Sequence, residues 1–239
     1  MPIAPERVAP YDYPMHPLET GEVRLGENRF ALSVVDCGLL NLDGGQLIAC
    51  DPFAAMQGGG QDPWIDVPKG RFPVKVTLAD VSDALDGSHV REAYASVVFR
   101  DAPRASRKQL CLLAAGETAE PLEEGDAWGF GVDAGTACFA DKTSLDRDMP
   151  DPRTWYDKLF DDGSPTSWFS RMDDPAHIRA GIANIPLPNG DGSTNLVVVH
   201  SGWGDGHYSV VGDFDADGEL LAVHIDFQVV AEPSDDEDD

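Results

Sequence analysis

Cys37-Gly38-Leu39-Leu40-Asn41-Leu42-Asp43-Gly44-Gly45-Gln46-Leu47-Ile48-Ala49-Cys50 is the stretch on which the reading of the fold turns. Two apolar runs flank Asp43-Gly44-Gly45, and glycine there supplies the positive φ that a tight turn between strands requires. The stretch reads as a β-hairpin. Similar runs recur on both sides of it. Residues 30–35 open a strand, and 70–78 alternate apolar and polar as a half-buried strand does, with Pro73 suited to its start or to an edge. Residues 90–99 and 109–115 add two strands, and 129–141 read as one strand interrupted by small residues. Strands resume at 196–200, 208–214 and 220–230.

Helical signal is confined to residues 151–172. Asp151 is an N-cap, Pro152 stands at the first helical position, and Trp155, Tyr156, Leu159 and Phe160 form an apolar face. Trp168, Phe169 and Met172 mark a second short helix. The distribution predicts an α+β fold: antiparallel sheets in one domain over 31–232, with the helices as an insertion near residues 151–172. Residues 1–30 are proline-rich and irregular, with Tyr11, Tyr13 and Met15 as packing anchors, and Gly58-Gly59-Gly60 marks a flexible loop. Residues 233–239 form an acidic tail with nothing to bury, predicted to be disordered.

The chain has 239 residues, enough for a sizeable core. Its 43 Asp and Glu against 17 Lys and Arg give a formal charge of −26. That balance argues against nucleic acid and anionic membranes, since phosphate binding needs Lys and Arg to displace counterions. It permits basic protein partners and would speed their encounter; it equally serves solubility. No apolar run is long enough to span a membrane, and the start Met1-Pro2-Ile3-Ala4-Pro5-Glu6-Arg7 lacks the pattern of a signal peptide. Cys37, Cys50, Cys111 and Cys138 stand far apart without a CxxC, so they read as buried small hydrophobes in a cytoplasmic protein.

Two segments invite chemistry. In His200-Ser201-Gly202-Trp203-Gly204-Asp205-Gly206-His207, alternate glycines let the backbone turn sharply and present Trp203, Asp205 and His207 as binding candidates. The same run also suits a tight structural corner, with Trp203 packed on the core and Asp205 bonding turn amides. Asp51, Asp133 and Asp141 each end an apolar strand beside a small or rigid residue. With Asp205, they are candidate ligands for a divalent cation, because oxygen-rich pockets suit hard cations; Asp51, Asp133 and Asp205 are then the catalytic candidates. Asp213-Phe214-Asp215-Ala216-Asp217-Gly218 imitates a calcium loop but lacks its closing Glu, and reads as a hairpin turn with Gly218 at positive φ.

The series Leu47-Ile48-Ala49-Cys50-Asp51-Pro52, Val67-Pro68-Lys69-Gly70-Arg71-Phe72-Pro73-Val74, Arg91-Glu92-Ala93-Tyr94, Gly131-Val132-Asp133-Ala134-Gly135, Asp141 and Ser201-Gly202-Trp203-Gly204-Asp205-Gly206 resembles a bacterial domain-of-unknown-function family, DUF4241. The resemblance runs in order from about Leu39 to Phe227, with Gly-Trp-Gly-Asp-Gly as its most specific part. It implies one domain and no assigned activity, and its members occur near toxin and immunity systems. The functional expectation is a non-enzymatic acidic binding protein, such as an immunity protein that occupies a basic toxin or effector. The alternatives are a metal-dependent hydrolase built on strand-end aspartates and a small-molecule binding module at the Trp203 loop.

Overall fold

Strands of this chain change sheet at their turns, and that habit builds the molecule. The computed structural model describes residues 3–55, 62–123 and 125–232. Fourteen strands are formed among them: β1 Val8–Pro10, β2 Gly21–Leu25, β3 Asn28–Leu42, β4 Gln46–Cys50, β5 Ile65–Asp66, β6 Gly70–Asp80, β7 Val90–Val98, β8 Ser106–Leu110, β9 Phe130–Val132, β10 Thr136–Asp141, β11 Ile182–Pro186, β12 Asn195–His200, β13 Gly206–Phe214 and β14 Leu220–Asp226. A large sheet runs β1-β8-β13-β14-β7-β6-β3-β2, with β9 also paired to β13; a smaller one runs β11-β12-β10-β4-β5. Every pairing between these strands is antiparallel. Strand covers 43% and helix 11%, so the β-rich antiparallel expectation holds.

The smaller sheet is the middle layer. Leu47, Ala49, Ala137, Phe139, Val197 and Val199 join the core shared with the large sheet. Their neighbours Ile48, Cys50, Cys138, Ala140, Leu196 and Val198 join a second core, with Leu145, Trp155, Phe160, Trp168 and Met172. Because strand side chains alternate faces, a sheet covered on both sides reads as a continuous apolar run. The helices on its outer face are α2 Lys142–Asp148, α3 Pro152–Trp155 (continuing as a π-helix over Tyr156–Phe160) and α4 Trp168–Asp173. A short α1, Pro52–Ala55, follows β4. Helix α2 begins nine residues before the region where the sequence signals one, on Asp141, which accepts from Ser144 N at 3.2 Å. An aspartate at a strand end was there a helix cap.

The opposite face of the large sheet carries Thr77, Tyr94, Ser96, His224 and Asp226, all buried. The N-terminal segment lies across it. Tyr11 Oη donates to Asp226 Oδ2 at 2.8 Å, Arg107 donates to Met15 O at 2.8 Å, and Leu18 N donates to Thr77 Oγ1 at 2.8 Å. Met15 is buried against the core, as an anchor should be, while Tyr13 is exposed.

Three strand readings need correction. Residues 1–30 are not wholly irregular, since β1 pairs with β8 and β2 with β3. Residues 37–50 are not a hairpin: β3 pairs with β2 and β6, whereas β4 pairs with β10 and β5. Gly45 does take φ +69°, but the turn is an arch carrying the chain from one sheet to the other. Likewise 129–141 is not one strand, since β9 pairs β13 in the large sheet and β10 lies in the small one. The Asp213–Gly218 segment is a hairpin turn, with Gly218 at φ +78° and β13 paired to β14 on either side. All four cysteines are buried free thiols. Gly58-Gly59-Gly60 and the acidic tail from 233 lie outside the described residues.

Candidate functional site

The run 201–206 is another crossing, from β12 in the small sheet to β13 in the large one. Gly202 has φ +62°, and a methyl group there would meet Val229 Cγ2 at 2.6 Å and Glu92 O at 3.0 Å. Only glycine fits so close to another backbone. Ser201, wholly buried, donates through Oγ to Gly204 O at 2.7 Å. Tyr208 Oη lies 2.9 Å from Ser201 O and 2.7 Å from Gly204 O, sharing its one proton between them. The loop's backbone is thereby pinned from below, and Trp203 projects outward with 55% of its surface exposed. Trp203 is not packed on the core.

The sequence-selected aspartates serve turns. Asp51 is buried; its Oδ1 accepts from Phe53 N at 2.8 Å and its Oδ2 from Asp133 N at 2.9 Å and Ala134 N at 3.0 Å. Asp205 Oδ1 accepts from the next amide, Gly135 N, at 3.0 Å. Two carboxylates therefore hold three consecutive amides of the turn between β9 and β10, a concave set of N–H groups that attracts negative charge. Asp51, Asp133 and Asp205 come to one corner, yet Asp133 brings its amide to it and keeps an exposed side chain. Asp141 is elsewhere: it accepts from Gly44 N at 3.0 Å, Gln46 N at 3.2 Å and Ser144 Oγ at 2.9 Å, joining the arch to α2. His207 is exposed, and its carbonyl accepts from Gln228 Nε2 at 3.4 Å. A hard cation needs six or more oxygens converging on it. Among the described residues no three His, Cys, Asp or Glu side chains group in that way, and the Asp51 oxygens are already committed to amides.

What converges instead is a cleft of about 340 Å³ beside Trp203, walled by Arg91, Ala134, Phe169, Met172, Asp173 and His200. A wider hollow of about 560 Å³, lined by Asn28, Ser82, Asp83 and Gln228, also borders the same indole. The Arg91 guanidinium carbon sits 5.2 Å from the Trp203 ring centre, a cation–π contact, and the His89 ring meets the indole edge-on at 5.9 Å. Arg91 Nε donates to His89 Nε2 at 3.0 Å. Behind the cleft is Gly181, at φ +89°, where a methyl group would stand 2.7 Å from His200 Nδ1 and 3.1 Å from Glu92 Oε1. The imidazole and the carboxylate thus crowd the same point. Glu92 is buried, and burial pushes its carboxyl above the ordinary range, opposed by the charges of His200, Arg179 and Arg91.

Arg91, Glu92, Gly181 and His200 are the site residues that reading the sequence for aspartates overlooked. One signal was available: a charged pair, Arg91-Glu92, inside an apolar strand, where a buried carboxylate is costly unless something offsets it. Gly181 carried no comparable mark.

No curated protein matches this chain, and no solved structure does. A family described as "Protein of unknown function (DUF4241)" matches residues 40–225. That span takes in the smaller sheet, the large sheet apart from β1, β2 and most of β3, the helices between β10 and β11, the Gly-Trp-Gly-Asp-Gly loop and every wall of the cleft, and the chain belongs to the DUF4241 family.

Proposed function

We propose that this protein binds a small ligand in the cleft beside Trp203. The observation that carries the reading is the exposed indole itself, held out on a loop whose backbone groups are bonded underneath it. Ligand sites combine apolar walls with a few fixed polar groups and a titratable group displaced from its usual range. Here the walls are Trp203, Phe169 and Met172, the polar groups are Arg91 and His200, and the displaced group is Glu92. Ligand-observed NMR with a fragment library tests it. Fragments should bind one site and lose saturable binding in Trp203→Ala, while the melting temperature of that variant moves little because the side chain is exposed. Fragments that bind the variant equally well, or none that bind the parent, would end the reading.

A second reading rests on the charge of −26: capture of a basic protein, as an immunity protein would capture a toxin. Acidity of that size speeds encounter with a cationic partner at low salt.

A further inference from the structure

Arg91 has an unusual set of partners for an arginine in so acidic a chain. Arg29, Arg100, Arg107, Arg147 and Arg153 each lie within ion-pair distance of a carboxylate. Among the described residues Arg91 does not, and neither do Arg7, Arg71, Arg171 and Arg179; what sets Arg91 and Arg179 apart from the rest of these is that their charges act on the buried Glu92. Arg91 directs Nε to His89 and sets its guanidinium carbon over the Trp203 ring. Those two contacts hold the group in place and, among the described residues, leave its two terminal nitrogens, the fork that matches an oxyanion with two parallel hydrogen bonds. Arg91 stands at the wall of a cleft whose other surfaces are largely apolar.

The charges around it narrow the class of anion. Asp173 stands on the cleft wall, and the chain as a whole carries −26, so a second negative charge on the ligand would be repelled. A phosphate dianion is the poorer fit. An apolar body, by contrast, is what Phe169, Met172 and the free surface of Trp203 can cover. Resting on the ligand-binding reading above, we infer that the cleft takes a small organic monoanion, with one carboxylate on the terminal nitrogens of Arg91 and an apolar or aromatic body against Trp203 and Phe169. His200 lines the same cleft and offers a second polar group to the carboxylate. Behind them the absent side chain of Gly181 leaves the space that His200 and the Glu92 carboxylate border.

The test uses 2-naphthoate, its neutral counterpart 2-naphthalenemethanol, and inorganic phosphate, each titrated into the full ¹⁵N-labelled chain. The chain has five tryptophans, so Trp203→Phe identifies the Trp203 indole N–H signal. That signal should shift saturably with 2-naphthoate. The neutral alcohol should bind at least about tenfold more weakly, as the loss of a charge-assisted hydrogen bond predicts. Arg91→Gln should weaken 2-naphthoate by the same factor without changing the alcohol. Arg91→Lys, which keeps the charge but not the fork, should recover only part of the affinity, and it serves as the control should Arg91→Gln fold poorly. If acid and alcohol bind alike and Trp203→Ala abolishes both, the cleft is a ligand site but not one for anions. Phosphate binding more tightly than 2-naphthoate overturns the choice of a carboxylate. No saturable shift with acid or alcohol sinks both the monoanion and the cleft.

Discussion

Gly202 and Trp203 are neighbours with opposite roles, and single substitutions should separate them. A methyl group at Gly202 meets Val229 Cγ2 at 2.6 Å and Glu92 O at 3.0 Å, on a backbone at φ +62°. Left-handed geometry costs a non-glycine residue roughly 1–2 kcal/mol, and overpacking adds about 1–3 kcal/mol. Gly202→Ala should therefore lower stability by about 2–5 kcal/mol, read by urea unfolding, whereas Trp203→Ala should cost little fold and much binding. A Gly202→Ala variant as stable as the parent would show that the crossing can relax away from β7. The residue-level reading of the sequence recognised that this run bends, because alternate glycines say so directly, and left open whether Trp203 is presented or packed on the core. It missed that aspartates at strand ends would be consumed by turn amides. Chain-distant amides such as Asp133 N and Ala134 N leave no mark near Asp51, so nothing local shows that its oxygens are taken.

Elements were legible where period-two alternation or long apolar runs marked them, and partners were not. β6 falls where alternation places a strand and β7, β12, β13 and β14 where apolar runs do, but an arch and a hairpin have the same turn residues, so 37–50 was assigned the wrong pairing. β8 lies earlier than its apolar stretch suggested, because Arg107 and Lys108 face the partner strand and the N-terminal segment instead of solvent. The N-terminal segment provides the element-scale prediction. It covers Asp226, whose carboxyl burial pushes up to about 6 from an ordinary 3.8, with hydrogen bonds from Gln228 N and Tyr11 only partly offsetting this. The groups around it are Tyr11, Tyr94, Arg107 and, further along the face, Asp213 and His224. A raised folded value means that the native state holds the proton more tightly than the unfolded chain. The stabilising contribution is then complete below about pH 4 and lost as pH rises through about 6. Asp213 works the other way. Burial would raise it, but Arg107 and His224 hold it well below the ordinary range, so its contribution disappears as acid is added. Asp226→Asn keeps both hydrogen bonds, accepting from Gln228 N and donating to Tyr11 Oη. It should raise stability at pH 7.5 by up to about 3 kcal/mol, with the gain vanishing by pH 4. Calorimetric melting at the two pH values decides it: an Asn variant that melts lower at pH 7.5 would mean that the N-terminal segment needs the charge.

At the scale of the whole molecule, the charge of −26 makes two predictions that run in opposite directions with salt. Like charges spread over one surface repel, which destabilises the compact state; screening relieves that repulsion. The Debye length falls from about 30 Å at 0.01 M to about 8 Å at 0.15 M salt, so charges across the surface from each other stop interacting over that range. The melting temperature should rise by about 3 °C or more between those conditions, which at this chain length corresponds to about 1 kcal/mol. Capture of a basic partner behaves inversely, because the attraction that steers it is screened by the same ions. The association rate with a basic probe protein should fall at least about tenfold across the same interval. Measured together, the two experiments separate causes. A rise in stability with a fall in association rate is what an acidic capture surface requires. A rise in stability with an association rate indifferent to salt leaves the charge as a solubility device, and the basic-partner reading falls while the Trp203 cleft is untouched. A melting temperature that stays flat or drops would mean that the acidic side chains are already neutralised by their neighbours. The long-range field on which capture depends would then not exist.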